Sequence, residues 1–216
     1  SAGGVNVFRG VPYAKPPVGR LRWEAPRKPD AWPGERTAIA FEPPCPQPTN
    51  IDGRTVNGGG VAGATSEDCL YLNVYAPANA ANAPIMVWLH GGAFYLGAGH
   101  LGSYNGTSNA KQGVITVSIN YRLGSLGGFS HPALTDEAAR REWLSSYALM
   151  DAVAALEWVR SNAAAFGGDA NNVTLAGQSA GAAAVVNLLS VPAAKGLFHK
   201  AIVQSGADTR PSVPLT

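Results

Sequence analysis

Ser179 has the residue type and the neighbours of a nucleophile. It stands in the run Gly177-Gln178-Ser179-Ala180-Gly181, with a glycine two positions away on either side. The apolar run Val173–Ala176 precedes it and an alanine- and valine-rich run follows, which predicts a strand that turns sharply into a helix. Such a turn excludes bulky neighbours, and it exposes the serine at the carboxyl end of the strand. We therefore interpret Ser179 as a nucleophile; the alternative is a serine that only caps the helix.

A second segment could stabilise the negative charge that acyl transfer creates. His90-Gly91-Gly92-Ala93-Phe94 closes an apolar run that starts at Ile85. Several backbone N–H groups of a glycine-rich turn can point at one place, and losing one such donor costs about 3 kcal/mol in the transition state. The N–H of Ala180, directly after the nucleophile, would add a donor. With a nucleophile on a later strand, we expect an oxyanion hole here; the alternative is an ordinary turn.

Strands and helices that would position these residues alternate along the chain. Helical spacing predicts a helix over Tyr147–Ala165, ended by Gly167-Gly168, and another over Ala180–Leu189, ended by Pro192. Strands buried on both faces are predicted from four apolar runs: Ile85–His90, Val114–Tyr121, Val173–Ala176 and Ala201–Gln204. This alternation predicts an α/β fold with a mostly parallel sheet and helices on both faces.

The amino-terminal third predicts less regular structure. We expect a short strand over Val5–Phe8, and another over Leu70–Tyr75, where apolar and polar residues alternate. Proline and glycine are frequent up to Trp23 and should end any regular element after Phe8. Residues 9–23 mix arginine with aromatic residues, and we favour an extended strip packed against the domain over a binding face.

Composition limits the classes of partner. The 216 residues include 26 glycines and 16 prolines, 14% are charged, and the formal net charge is +2. This is typical of one globular domain over residues 1–216, without the basic stripe of a nucleic-acid-binding protein. No apolar run approaches the roughly 20 residues that span a membrane. The composition indicates no oligomeric state.

Cys45 and Cys69 are the only two cysteines. The proline- and glycine-rich segment between them is expected to form a long surface loop, and a disulfide closing it would stabilise the fold by roughly 3 kcal/mol. In a reducing compartment they would instead be two unlinked thiols. The pattern alone leaves both alternatives open.

Six segments, in their order along the chain, resemble the type-B carboxylesterase family, which includes cholinesterases and bacterial para-nitrobenzyl esterases. They are Phe8–Ala14, Ser66–Val74, His90–Phe94, Asn120–Gly124, Phe166–Asp169 and Gly177–Gly181. Pro192–Phe198 is similar to the bacterial branch, and the resemblance extends to about Ala207. It implies an α/β-hydrolase fold, incomplete on its carboxyl-terminal side, in which Ser179 lies at the nucleophile elbow.

The resemblance also implies an activity and a site. It implies hydrolysis of a small-molecule carboxylic ester through an acyl-enzyme on Ser179, with no metal and no other cofactor. It places the oxyanion donors at the N–H groups of Gly92, Ala93 and Ala180, with Gly91 shaping the turn.

Two further points follow from the resemblance. Cys45 and Cys69 match the family's first disulfide, and a disulfide would favour a secreted or periplasmic location. Gln178 departs from the family, because many relatives carry Glu before the nucleophile.

The sequence shows no suitable base to activate Ser179. Serine needs a base and an orienting acid, and in this fold the acid and then the histidine follow the serine. After Ser179 come only His199 and Asp208, in the opposite order. The other histidines lie in turns and loops: His90, His100 and His131. We therefore expect the chain to be the amino-terminal part of a longer enzyme, with an uncovered sheet edge.

Two alternatives to a complete esterase stay open. One is a non-catalytic binding protein on the same scaffold, against which the retained serine and glycine turn weigh. The other is a folded but catalytically silent fragment. The sequons at Asn105 and Asn172 are interpreted as chance matches.

Overall fold

The computed structural model describes residues 3–50, 52, 60–141 and 146–206. Within them, six strands form one sheet: β1 (Val5–Pro12), β2 (Tyr71–Pro77), β3 (Ala83–Leu89), β4 (Ile115–Ile119), β5 (Gly168–Gln178) and β6 (Lys200–Gln204). The α-helices are α1 (Thr107–Lys111), α2 (Gly124–Gly128), α3 (Pro132–Arg140), α4 (Tyr147–Asn162) and α5 (Ala180–Leu188). Short 3-10 turns cover Gly19–Leu21, Gly102–Tyr104, Ala163–Phe166 and Pro192–Ala194.

The strand order explains how two distant segments meet. The sheet runs β1-β2-β4-β3-β5-β6, with β1 and β2 antiparallel to their neighbours and the other four strands parallel. This confirms the expected mostly parallel sheet. Leu89, at the end of β3, pairs with Gly177 near the end of β5. Because parallel strands end at the same edge of a sheet, the segment after β3 lies beside the segment after β5.

Helices cover both faces of this sheet. Val74 on β2 belongs to the main core together with Leu156 of α4 and Val185 of α5. The next residue, Tyr75, packs instead with Ala110 of α1 in a smaller cluster. Since successive strand residues point to opposite faces, α1 lies on one face and α4 and α5 lie on the other, as expected.

Both main helices begin and end close to their predicted bounds. The hydroxyl of Ser146 accepts a hydrogen bond from the Leu149 N–H at 3.4 Å and caps α4. After α4 a 3-10 turn follows, and the chain leaves it at Gly167, whose φ of 75° suits glycine. Leu188 ends α5, one residue before the predicted end.

The first strand is longer than predicted, and the reason is local. We expected regular structure to end at Phe8, but β1 continues to Pro12 with a shift of register between Phe8 and Val11. Gly10 in this shift has a φ of 66° and its N–H donates to Asn73 Oδ1 at 3.1 Å. A bulge at a glycine therefore lets the strand continue through a break that composition predicted.

The last strand is exposed where a buried strand was predicted. All five residues of β6 are exposed, and Ile202 and Val203 retain 42% and 39% of their accessible surface. β6 is the outermost strand at its side of the described sheet. An apolar run predicts burial only if another element covers it, so the prediction of burial was wrong, whereas the expected uncovered edge is present.

The two cysteines form a disulfide. Cys45 and Cys69, both buried, are joined across a sequence separation of 24 residues. Residues 51 and 53–59 of the predicted loop between them lie outside the described residues. None of the described helices is both long and apolar enough to cross a bilayer.

Candidate active site

The backbone at Ser179 has an unusual conformation that its neighbours enforce. Its φ is 53° and its ψ is −120°, a region that costs a non-glycine residue on the order of 1–3 kcal/mol. A Cβ atom at Gly177 would lie 2.4 Å from the Gly181 carbonyl carbon, and one at Gly181 would lie 2.1 Å from the Leu89 carbonyl oxygen. Both glycines are therefore required by close approaches of backbone, one within the turn and one between α5 and the end of β3.

The hydroxyl of Ser179 is not used to cap the helix. Ser179 occupies the N-cap position of α5, yet its side chain makes no capping hydrogen bond. Its own N–H donates to the Gln204 carbonyl oxygen at 2.8 Å, and its carbonyl oxygen accepts from the Ala183 N–H at 2.9 Å. These backbone bonds hold the turn between β6 and α5, and they leave the hydroxyl available to a substrate.

The glycine turn after β3 packs directly on this elbow. A Cβ atom at Gly91 would lie 2.9 Å from the Gln178 carbonyl oxygen and 3.1 Å from Ser179 Cβ. Gly92, Ala93 and Phe94 all have positive φ, at 119°, 54° and 58°. Two of these residues carry a side chain, so the turn holds a conformation that its sequence alone would not favour.

Hydrogen bonds to two carbonyl oxygens of this turn fix the directions of the N–H groups in the same peptide units. In a trans peptide unit the C=O of one residue and the N–H of the next point in opposite directions. The Gly91 carbonyl oxygen lies 2.8 Å from His90 Nδ1, which orients the Gly92 N–H. The Gly92 carbonyl oxygen accepts from the N–H groups of Tyr95 and Leu96 at 2.9 and 3.0 Å, which orients the Ala93 N–H.

His90 supports the turn as a neutral imidazole. It is 1% exposed, and burial lowers its pKa to about 4, although the bond to Gly91 opposes this shift. Because a carbonyl oxygen can only accept, Nδ1 carries the hydrogen and Nε2 is unprotonated. Among the described residues Nε2 has no hydrogen-bond partner. A Cβ atom at Gly97 would lie 2.4 Å from Nδ1, so the backbone encloses the imidazole.

The loop after β4 supports the far end of the turn. The N–H of Gly124 donates to the Phe94 carbonyl oxygen at 2.7 Å. Arg122 anchors this loop to α4 through bonds from Nε and Nη2 to the two carboxylate oxygens of Asp151, at 2.8 and 2.7 Å. Both side chains are almost fully buried, at 2% and 0% exposure, so removing either would leave an uncompensated charge in the core.

The sequence indicated the segment Asn120–Gly124 only as part of the family resemblance and predicted no role for it. The available signals were a charged residue, Arg122, between Tyr121 and Leu123 directly after a buried strand, and Asp151 within the apolar pattern of α4. Isolated charges in apolar surroundings are rarely buried unless they are paired.

Each of the four histidines has one ring nitrogen in a hydrogen bond to the backbone, as described above for His90. His199 lies at the opposite end of the parallel strands from Ser179, because its Nδ1 accepts a hydrogen bond from the N–H of Val173 at 3.2 Å. Val173 precedes Ser179 by six positions of extended chain, which is about 20 Å at about 3.3 Å per residue. His100 Nε2 lies 3.0 Å from the Ala62 carbonyl oxygen and His131 Nδ1 accepts from the Ala133 N–H at 3.2 Å. Asp208 lies outside the described residues.

The described part of the chain contains no group of three or more His, Cys, Asp or Glu side chains that could hold a metal ion. A cavity of about 610 Å³ lies between α4 and residues 26–32, and its lining includes Trp32 and Trp158 but no residue of the elbow or the glycine turn. It is therefore separate from the candidate nucleophile.

Comparisons with known proteins agree on one family. The model of the carboxylesterase family matches residues 1–213. Para-nitrobenzyl esterase of Bacillus subtilis (strain 168) is 49% identical over 207 residues, which are 95% of this chain and 41% of that protein. Fumonisin B1 esterase of Sphingopyxis macrogoltabida is 43% identical over 216 residues, covering 99% of this chain and 39% of that protein.

A solved structure agrees as well. A thermophilic PNB esterase superposes with a TM-score of 0.86 at 47% identity, covering 96% of this chain and 42% of that one. This confirms the α/β-hydrolase fold expected from the resemblance. The chain spans about two fifths of the length of these relatives. From the family match and the superposed fold together, the chain belongs to the carboxylesterase family.

Proposed function

We propose that the protein hydrolyses carboxylic esters with Ser179 as its nucleophile. The observation that carries the proposal is that Ser179 is held in a strained turn, beside the glycine turn, with a hydroxyl that no capping bond uses. Strain of this kind persists only where the surroundings enforce it, and it is concentrated at functional sites. The family match and the esterase relatives support the same reaction.

In the proposed mechanism the Ser179 oxygen attacks the ester carbonyl carbon, and a base takes the hydroxyl proton. The N–H groups of Gly92, Ala93 and Ala180 bind the negative charge that forms on the carbonyl oxygen. Gly91 allows the turn to approach the elbow, and Ala180 contributes the N–H at the first position of α5, which has no partner within a helix. The alcohol then leaves, and water releases the acid from the acyl-enzyme.

The base and its orienting acid are proposed to come from outside the described residues. Each histidine of the chain has one ring nitrogen in a hydrogen bond to the backbone, and His199 lies at the opposite end of the parallel strands from Ser179. The proposal includes a single α/β-hydrolase domain to which residues 1–216 contribute the amino-terminal part. The exposed apolar face and edge of β6 support it, because such an edge normally pairs or is covered.

The rival function is a binding protein that keeps the fold without the chemistry. Nothing in binding would require the strained conformation at Ser179 or the two strained residues Ala93 and Phe94. Each costs stability, and we therefore favour catalysis.

Replacing Ser179 with alanine in the intact protein tests the proposal. With a short-chain p-nitrophenyl ester, Ser179→Ala should lower kcat by about 10⁴-fold or more, because it removes the hydroxyl oxygen that is acylated. Ser190→Ala is the matched control, because the Ser190 hydroxyl only donates to Asn187 O at 2.9 Å beyond α5. Retained turnover in Ser179→Ala would show that another group is the nucleophile.

A further inference from the structure

The side chain of Tyr121, two residues after the end of β4, contacts both ends of the glycine turn. Its hydroxyl donates to the His90 carbonyl oxygen at 2.6 Å. Its ring stacks on the His90 imidazole, with centroids 4.3 Å apart and planes 14° from parallel. The same ring meets Phe94 edge-on at 6.2 Å. One side chain therefore touches the residues on either side of Gly91, Gly92 and Ala93.

The hydroxyl of Tyr121 fixes the first peptide unit of the turn. The His90 carbonyl belongs to the same planar unit as the Gly91 N–H. The same carbonyl oxygen also lies close to α5, because a Cβ atom at Gly181 would be 2.7 Å from it. The carbonyl is thus restrained by both α5 and the Tyr121 hydroxyl. Burial raises the pKa of Tyr121, so the hydroxyl keeps the proton that it donates.

The ring of Tyr121 fixes the second unit indirectly. It lies flat against the His90 imidazole, whose Nδ1–H holds the Gly91 carbonyl oxygen at 2.8 Å. That carbonyl shares its peptide unit with the Gly92 N–H. A tilt of the imidazole would therefore turn the Gly92 N–H away from its position.

We propose that Tyr121 is a positioning residue that aims the oxyanion donors of the turn and acts through His90. Tyr121 is 2% exposed, so it affects the transition state through the turn and not through contact with substrate. The inference rests on the proposed ester hydrolysis and adds a residue to it.

A purely structural role would predict a different outcome, and Tyr13 provides the matched control. The Tyr13 hydroxyl also donates to a backbone carbonyl oxygen at 2.6 Å, that of Asn120, and Tyr13 is likewise 2% exposed. Asn120 keeps other bonds, because its side chain accepts from Gly99 N and donates to Cys69 O. The Asn120 N–H also donates to the Tyr71 carbonyl oxygen at 2.9 Å, so this segment stays tied to β2 without the Tyr13 bond. Tyr13→Phe therefore removes an equivalent buried bond that is not made to the glycine turn.

The test compares Tyr121→Phe and Tyr13→Phe in the intact protein. A 1 Å misplacement can cost about 100-fold in rate, and a looser turn should move by a fraction of that, so we expect Tyr121→Phe to lower kcat by about tenfold. KM should change by less than about twofold, and affinity for a trifluoromethyl ketone should fall by about the same factor as kcat, because that inhibitor forms an oxyanion on the serine. Tyr13→Phe should lower the melting temperature similarly and leave kcat unchanged.

A second variant keeps a donor at the same place. The variant Tyr121→4-aminophenylalanine retains the ring and a weaker donor, and its kcat should lie between those of wild type and Tyr121→Phe. If Tyr121→Phe does not fold, this variant carries the test alone, with a few-fold lower kcat expected at unchanged KM.

Three outcomes separate the two proposals. If the wild type is active and depends on Ser179, an unchanged kcat in Tyr121→Phe overturns the role of Tyr121 alone. Equal losses of kcat in Tyr121→Phe and Tyr13→Phe do the same, because they would reflect general destabilisation. A wild type that hydrolyses no ester, or a fully active Ser179→Ala, overturns the proposed function and this inference with it.

Discussion

Replacing Gly91 with alanine should misalign the glycine turn while leaving Ser179, the proposed nucleophile, unchanged. The new Cβ would lie 2.6 Å from Gln178 Oε1, 2.9 Å from the Gln178 carbonyl oxygen and 3.1 Å from Ser179 Cβ. The Gln178 amide can rotate away, but the other two atoms belong to the elbow. To reach ordinary contacts of about 3.5 Å, the turn and the elbow must separate by about half an ångström.

This displacement sets the expected magnitude. On a scale where 1 Å can cost about 100-fold in rate, half of it predicts a loss of about tenfold in kcat. Forcing a methyl group into this contact should also lower the free energy of unfolding by about 1–3 kcal/mol.

The assay measures kcat and KM for a short-chain p-nitrophenyl ester beside urea unfolding. Gly102→Ala is the control, because a Cβ there meets no atom within 4 Å, and its kcat and stability should match the wild type. If Gly91→Ala lost stability but kept its kcat, the reasoning that contact between turn and elbow positions the donors would be refuted.

Two further predictions concern stability. Since burial lowers the pKa of His90 to about 4 from 6.5, the unfolded chain binds a proton between these values that the folded chain does not. The stabilisation is therefore complete above pH 6.5 and falls by about 3 kcal/mol as the pH drops to 4. Urea unfolding of wild type and His90→Gln at pH 7 and pH 4.5 checks this, and equal pH dependence in both would contradict it. Replacing both Cys45 and Cys69 with serine opens a loop with a sequence separation of 24 residues. This change should lower the free energy of unfolding, measured by chemical denaturation, by about 3 kcal/mol. An unchanged free energy of unfolding would show that the disulfide does not restrain the unfolded chain.

The sharp turn at Ser179 and the glycine turn after β3 could be predicted because their signals are local. Gly177 and Gly181 flank Ser179 in the sequence, and that spacing predicts a tight turn. The requirement for glycine at position 181 could not be predicted from neighbouring residues. A side chain there would clash with the carbonyl oxygen of Leu89, which lies on another strand. The sequence indicated which residues matter, whereas the packing partner came from the sheet order.

The contacts that support the turn could not be predicted, because they join distant parts of the chain. Tyr121 bonds to His90, and Arg122 bonds to Asp151, across separations of 31 and 29 residues. Single apolar or charged residues in a pattern do not reveal such partners. The burial of β6 was wrongly predicted for a similar reason, since an apolar strand is buried only by what lies against it.

The most direct measurement of the central claim is the site of covalent labelling by a fluorophosphonate in the intact protein. The account predicts one adduct per chain, located by peptide mass spectrometry on Ser179 and absent from Ser179→Ala. Ser205 is an internal control, because it also follows a parallel strand with a positive φ, 55°, but lacks the flanking glycine pair. An unlabelled protein, or a label on Ser205 or any other residue, would contradict the assignment of Ser179 as the nucleophile.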